Sequence, residues 1–269
     1  MSESRGRKSI FITGAASGIG AEAARYFAKR GWFVGLYDLD EQGLAEVADV
    51  IGGGNSHMAV LDVRDRAQWA AAVNGFGEAT HGQMNVLFNN AGVGRHGWFE
   101  DIPPEDCDWI VDVNVKGVVN GVYAALPLLR ETHGARIINT ASTAGMVGSP
   151  RLAVYSATKF AVRGLTEALD VEFSGLGIRV TSLMPWFVDT PILDIGASEG
   201  ANVKMADEIR AIGQPVYSVG DAAAKVWEAA HGDEIHYMVG KEAERARFAQ
   251  RFMPGRLKKQ ILKGLPERE

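Results

Sequence analysis

Short apolar runs alternate with longer amphipathic ones along this chain, the mark of stacked βαβ units. Ser9–Thr13 (SIFIT) reads as a buried first strand, followed by a glycine-rich turn and a helical run to Lys29. Trp32–Tyr37 (WFVGLY) reads as a second strand closed by Asp38, His57–Leu61 as a third, and Val86–Phe88 as the core of a fourth. Pro104–Arg130 carries one long helix pattern, with Pro103 and Pro104 placed where a helix can start. Arg136–Asn139 is a fifth strand, Ala153–Ser174 a second long helix, Gly177–Leu183 a sixth strand and Glu234–Val239 a seventh. Strands apolar on both faces require a parallel sheet covered by helices on both sides, so the fold class is α/β.

One long connection, residues 186–219, lacks a strong pattern, and such a loop in a compact domain is expected to be functional, here a substrate lid. The segment 241–269 turns charged and helical, with nine basic residues against four acidic ones, so it carries +5 and the remainder −10. Its interleaved apolar residues leave two readings, a solvated helix on an acidic body or a membrane-surface or subunit-contact helix. No Pro/Ser-rich linker divides the chain, and residues 1–269 read as one domain. The single cysteine, Cys107, excludes an internal disulfide and a Cys-based zinc site, and the six histidines show no ligand spacing, so no metal is expected. Neither a secretory h-region nor a run of 18 apolar residues occurs, and the expectation is a cytoplasmic protein without an integral membrane segment. A net charge of −5 argues against a nucleic-acid partner.

The turn TGAASGIG, Thr13–Gly20, lies between a predicted strand and a predicted helix. Gly14 permits the tight turn, Gly18 lets backbone approach a phosphate, and Gly20 allows close helix–sheet packing, while the helix N–H groups face the anion. Asp38 follows 18 residues after Gly20, where a carboxylate accepts hydrogen bonds from an adenosine ribose and repels a 2′-phosphate. Ser17 and Leu39, the positions that could offset that repulsion, are not basic, so NAD is favoured over NADP. The alternative is that Asp38 caps the next helix and Asp40 meets the ribose. Tyr155 and Lys159 lie one turn apart on one helix face, with Ser142 just past strand five. An ammonium beside a phenol favours the phenolate, which suits Tyr155 to proton transfer.

Together these residues resemble the short-chain dehydrogenase/reductase family, in its single-domain branch, over about Ser9–Val239. The resemblance implies a Rossmann-like doubly wound sheet of seven parallel strands in the order 3-2-1-4-5-6-7. It implies a tetrad of Asn114, Ser142, Tyr155 and Lys159, in which Tyr155 moves the substrate proton, Ser142 steadies the oxygen, Lys159 holds the nicotinamide ribose, and Asn114 positions a water. Gly14, Ser17, Gly18, Ile19 and Gly20 form the cofactor turn, and Asp38 and Leu39 set its specificity. Asp62 and Val63 resemble the adenine contact, Asn90, Ala91 and Gly92 the motif lining the cofactor, and Val188 and Thr190 the carboxamide contacts. Where the family has Pro-Gly after strand six, this chain has Pro185-Trp186, and Trp disfavours the backbone angles open to Gly.

These likenesses imply an NAD(H)-dependent oxidoreductase acting on a secondary alcohol or ketone, with a non-catalytic NAD-binding sensor or scaffold as the alternative. Trp98, Met146, Trp186, Phe187 and Ile192 would rim a cleft for a hydrophobic or aromatic substrate, or serve only as lid packing. His96, a loop histidine, is expected on the solvated surface, with a polar contact to substrate as the alternative. The family resemblance also implies a homodimer or homotetramer, with the two long helices pairing across a two-fold axis.

Overall fold

The first strand, β1 (Ser9–Thr13), is buried along its whole length because sheet neighbours flank it and helices cover both faces. In this computed structural model, which describes residues 6–193, 209–210, 213–263 and 265, seven parallel strands form one sheet in the order β3-β2-β1-β4-β5-β6-β7. The others are β2 (Phe33–Asp38), β3 (Ser56–Val60), β4 (Val86–Asn89), β5 (Arg136–Thr140), β6 (Arg179–Pro185) and β7 (His236–Val239). Register is fixed by the central pairs, with Ile10 opposite both Val34 and Val86, and Ile138 opposite Thr181. Each strand falls within a residue or two of its apolar run. The largest offsets are at β6 and β7, where Gly177 makes a left-handed turn at φ 68° and Glu234 precedes the ladder.

Helices α1 (Gly18–Ala28), α2 (Glu41–Ile51) and α7 (Val219–Ala229) cover one face, burying Phe27, Leu44 and Val226 against Ile10, Ile12 and Leu36. On the other face α3 (Arg66–Ala79) and α5 (Gly117–Glu131) set Trp69, Phe76, Val122 and Leu129 against Phe11, Leu87 and Ile137. The ring of Phe11 stacks on that of Tyr37 at 3.8 Å between centroids. α6 (Ala153–Glu172) completes this layer and buries Val162 and Thr166.

The long helix expected over Pro104–Arg130 is interrupted. α4 (Pro104–Val111) runs into one π-helical turn, Asp112–Lys116, before α5 begins. A π turn inserts an extra residue into the ladder without breaking the helix, and Asn114 sits inside it. The charged tail is two helices, α8 (Lys241–Phe252) and α9 (Pro254–Lys263), with Pro254 opening the second as proline does at a helix start. Of the expected lid, residues 194–208 and 211–212 lie outside the described residues. Its base is ordered by a parallel bridge between Val188 and Tyr217, and Leu193 packs with Ile209. No described helix is long and apolar enough to cross a membrane.

Candidate active site

The chain leaves β1 through a turn that only small residues can make. Gly14 and Gly18 hold φ at +67° and +53°, and a Cβ on Gly20 would collide with the Gly14 carbonyl. A Cβ on Gly18 would lie 3.1 Å from Thr190 Cγ2, so the segment after β6 meets the turn at this point. The N-cap of α1, Ser17, makes no side-chain capping bond, and the first turn holds no acid. Ile19 lies in that turn, whose N–H groups form the positive end of the helix.

Asp38 turns towards this loop. Its carboxylate accepts from Ala16 N at 3.1 Å and from Asp40 N at 3.2 Å. Asp40, not Asp38, caps α2 by accepting from Gly43 N at 3.0 Å, which removes the alternative assignment of the two acids. Leu39 is exposed beside them. Asp62 is held by its neighbour: Arg64 grips both of its oxygens at 2.6–3.1 Å and holds its pKa below the usual range. Val63, next to it, is buried, and its carbonyl accepts from Trp69 Nε1 and Asn120 Nδ2.

The segment after β4 is riveted to β1. Asn90 Nδ2 donates to the carbonyls of Thr13 and Gly14 at 3.1 and 3.3 Å, and the Asn90 and Ala91 N–H groups both donate to Thr13 Oγ1. From Gly92, a Cβ would meet Asn114 Oδ1 and Lys159 Nζ, each at 3.4 Å. That close approach brings Asn114 and Lys159 to one side of the loop, and a Cβ on Gly94 would meet the Tyr155 ring at 3.3 Å. Asn114 is buried and spends its amide on Val93, accepting from its N–H at 2.8 Å and donating to its carbonyl at 2.9 Å. It also donates to Thr158 Oγ1 at 3.1 Å.

Ser142 ends the loop after β5, where its Oγ accepts from Ala144 N at 3.1 Å. The Ser142 side chain also acts on the phenol of Tyr155, favouring its ionised form. Burial pushes the Tyr155 phenol up to about 12, and Ser142 offsets part of that rise. Lys159 is 3% exposed, and its Nζ donates to the Thr140 carbonyl at 2.8 Å and lies 5.4 Å from the Tyr155 ring centroid. Burial pulls its ammonium down to about 8. The expected lowering of Tyr155 by Lys159 does not appear here: burial raises the phenol and Ser142 alone lowers it.

The expected cleft residues divide. Met146 is buried and packs in a cluster with Val118, Val162 and Met184 against which Trp186 is laid. Trp186 keeps an ordinary backbone, since its φ is not positive, and its N–H donates to the Val239 carbonyl at 3.1 Å. The concern raised by the missing glycine does not materialise. Its indole stands edge-on to Phe187 at 5.2 Å, while Nε1 is buried without a protein acceptor. Phe187, Ile192 and Leu152 pack around Leu193 and Ile209, the base of the lid. Trp98 is half-buried ahead of a short 3₁₀ turn, Phe99–Asp101.

His96 is not the solvated residue expected. Its Nδ1 is buried without a partner, and burial together with the nearby Arg151 charge holds its pKa down to about 4. Beyond the cleft, a half-buried chain that the sequence did not reveal pins β7 to α6: His236 joins Ser182 Oγ at 2.8 Å and Glu167 at 3.0 Å. Among the described residues no cluster of three His, Cys, Asp or Glu side chains is placed to hold a metal ion.

The glycine cradle, the uncapped helix end, the Asp38 carboxylate and the buried Lys159 form a donor set that fits a dinucleotide laid across the C-terminal ends of the strands. Comparison with known proteins agrees. The model of the short chain dehydrogenase family matches residues 8–201. The oxidoreductase UcpA of Salmonella typhimurium is 38% identical over 247 residues, covering 87% of this chain and 91% of that protein. A Mycobacterium tuberculosis protein named 3-alpha-(or 20-beta)-hydroxysteroid dehydrogenase is 39% identical over 188 residues, 70% of this chain and 71% of its own. A solved short-chain dehydrogenase/reductase from Burkholderia phymatum, in complex with NAD, superposes with a TM-score of 0.81 at 30% identity over 95% of both chains. With this sheet order and these motifs, the chain belongs to the short-chain dehydrogenase/reductase family of oxidoreductases.

Proposed function

We propose that this protein is an NAD(H)-dependent enzyme that exchanges a hydride with a secondary alcohol or ketone, hydrophobic or aromatic in its body, with Tyr155 as general acid/base. The observation that carries this reading is the buried Lys159 ammonium 5.4 Å from the centroid of the Tyr155 ring, with Ser142 acting on the same phenol. When bound, the nicotinamide supplies or accepts the hydride.

The residues of the chain divide the remaining work. A phenol pushed to about 12 is protonated at neutral pH, the form that gives a proton to a carbonyl oxygen being reduced. Ser142 donates to that oxygen and steadies its developing charge. In the oxidation direction the phenol must lose its proton, and the Lys159 ammonium, charged below about pH 8, favours the phenolate. The same ammonium is positioned for a ribose hydroxyl. Asn114, locked on Val93 and Thr158, holds the π turn that brings it to within reach of the Lys159 environment.

Gly14, Ser17, Gly18, Ile19 and Gly20 cradle the pyrophosphate, Asp38 and Leu39 meet the adenosine ribose, and Val188 and Thr190 hold the carboxamide end. Asp62 and Val63 flank the adenine, with Arg64 closing over the acid. Asp38 and the absence of a basic neighbour support NAD over NADP, as does the NAD complex of the solved Burkholderia phymatum relative. Trp98, Trp186 and the lid base support an apolar substrate, and the name of the mycobacterial relative points the same way. The chain acts as one domain, in the cytoplasm, and as a homodimer through α4–α6, where Tyr123, Phe160 and Val171 remain exposed. NADH consumption with a panel of apolar ketones, measured beside NADH binding, tests the activity. Binding without turnover on any ketone would overturn it.

A further inference from the structure

We propose that the C-terminal helices α8 and α9 seat this protein on the surface of an anionic lipid bilayer. The base of α8 is anchored to the body. Lys241 N donates to the Tyr217 hydroxyl at 3.1 Å, that hydroxyl donates to Glu242, and Ala243 and Ala246 are buried. From Arg245 onward the character changes. The stretch Arg245–Lys263 holds seven basic residues and no acidic one, while the rest of the chain carries −12.

Phe248, Phe252 and Leu262 stand exposed among these cations, while Met253, Leu257 and Ile261 are half-buried. Phe248 and Phe252 are 57% and 62% exposed, and their rings pair at 4.8 Å one turn apart. The Arg251 guanidinium lies 5.7 Å from the Phe252 ring. In α9 no residue is buried, and Leu262 is 56% exposed. Exposed aromatic and aliphatic groups interleaved with uniform positive charge are what an interfacial helix uses: rings and Leu enter the headgroup boundary while Arg and Lys meet lipid phosphates.

Charge complementarity favours this occupant over the others. A nucleic-acid backbone answers the cations but gives Leu262 and the phenylalanine pair no apolar bed. A second copy that meets the stretch with its acidic body answers the cations, but its carboxylates give Phe248, Phe252 and Leu262 no apolar bed. An anionic bilayer satisfies both features at once. Because no described helix is long and apolar enough to cross, the attachment is peripheral. It does not depend on which reaction the cleft performs.

The test is co-sedimentation of the full-length protein with vesicles of phosphatidylcholine alone and of phosphatidylcholine and phosphatidylglycerol in a two-to-one mixture. Binding is expected to the mixed vesicles only, and raising salt should release it. Two variants divide the contributions: Arg247→Gln with Arg251→Gln, Lys258→Gln and Lys259→Gln, and separately Phe248→Ser with Phe252→Ser. Each should weaken binding roughly tenfold or more, while thermal unfolding and NADH binding in the absence of vesicles stay as in the parent. Failure of the parent protein to bind the mixed vesicles overturns the proposal, as does undiminished binding by the charge variant. A charge variant whose mass by light scattering falls below that of the parent assigns the stretch to a second copy instead, and also overturns it.

Discussion

Replacing Lys159 by Met should make the protein more stable at neutral pH even as it removes activity. Lys159 is 3% exposed, and burial lowers its ammonium from an ordinary 10.5 to about 8. At roughly 1.4 kcal/mol per pH unit, the folded state disfavours the charged form by about 3 kcal/mol. Below pH 8 folded and unfolded chains both carry the proton, so that cost is present in full. Between pH 8 and 10.5 the folded chain releases the proton while the unfolded chain keeps it, and stability rises with pH. Met has a similar length and no charge, but it leaves the Thr140 carbonyl without the 2.8 Å bond from Nζ, a loss of about 1–2 kcal/mol. The variant is therefore expected to exceed the parent by about 1–2 kcal/mol at pH 7, and to fall below it at high pH, where the neutral amine still donates to Thr140. Urea unfolding of both proteins at pH 7 and pH 10, without cofactor, measures the difference. A Met variant less stable at pH 7, or a gap that does not change with pH, would refute the reasoning.

The other expectations concern separate parts of the molecule. Asp38→Ser with Leu39→Arg removes the repulsion of a 2′-phosphate and adds a guanidinium, so kcat/KM should rise for NADPH and fall for NADH; a parent enzyme that already prefers NADPH contradicts the role given to Asp38. Because kcat/KM reports groups of the free enzyme, its value for NADH should decline as pH rises through about 8 and Lys159 loses its charge. A flat profile through pH 10 would count against that residue. Gly240 holds φ +96°, and a Cβ there would collide with the Tyr217 ring. Gly240→Ala should therefore cost about 2–4 kcal/mol in thermal or urea unfolding, and an unchanged midpoint would show that the ring moves aside freely.

The strands were legible because each is a short apolar run bounded by turn residues, and apolar groups on both faces place Ile10, Leu36 and Val86 in a covered parallel sheet. Tyr155 and Lys159 were legible as one helix face from their spacing, and Ser142 joined them through the family resemblance. The π turn at Asp112–Lys116 was not, since one extra residue in a helical ladder leaves the apolar pattern almost unchanged. Asn114 was named by likeness, but its locks on Val93 and Thr158 depend on that turn. The two acids after β2 were ambiguous in sequence because either can cap a helix, and only geometry gives the cap to Asp40. The grip of Arg64 on Asp62 and the burial of His96 are tertiary facts about loops, where no periodicity speaks. For Trp186 the sequence raised a backbone conflict that the chain avoids by running into an ordinary φ and packing the indole over the Met146 cluster.

The central claim is that Tyr155 moves the proton while the rest of the site binds the dinucleotide, and Tyr155→Phe separates the two. The ring stays, the hydroxyl goes, and Lys159 keeps its bond to Thr140. Single-turnover reduction of an apolar ketone should then slow by ~10²–10⁴-fold or more, with NADH affinity close to the parent's. Near-normal turnover in the Phe variant would contradict the assignment outright.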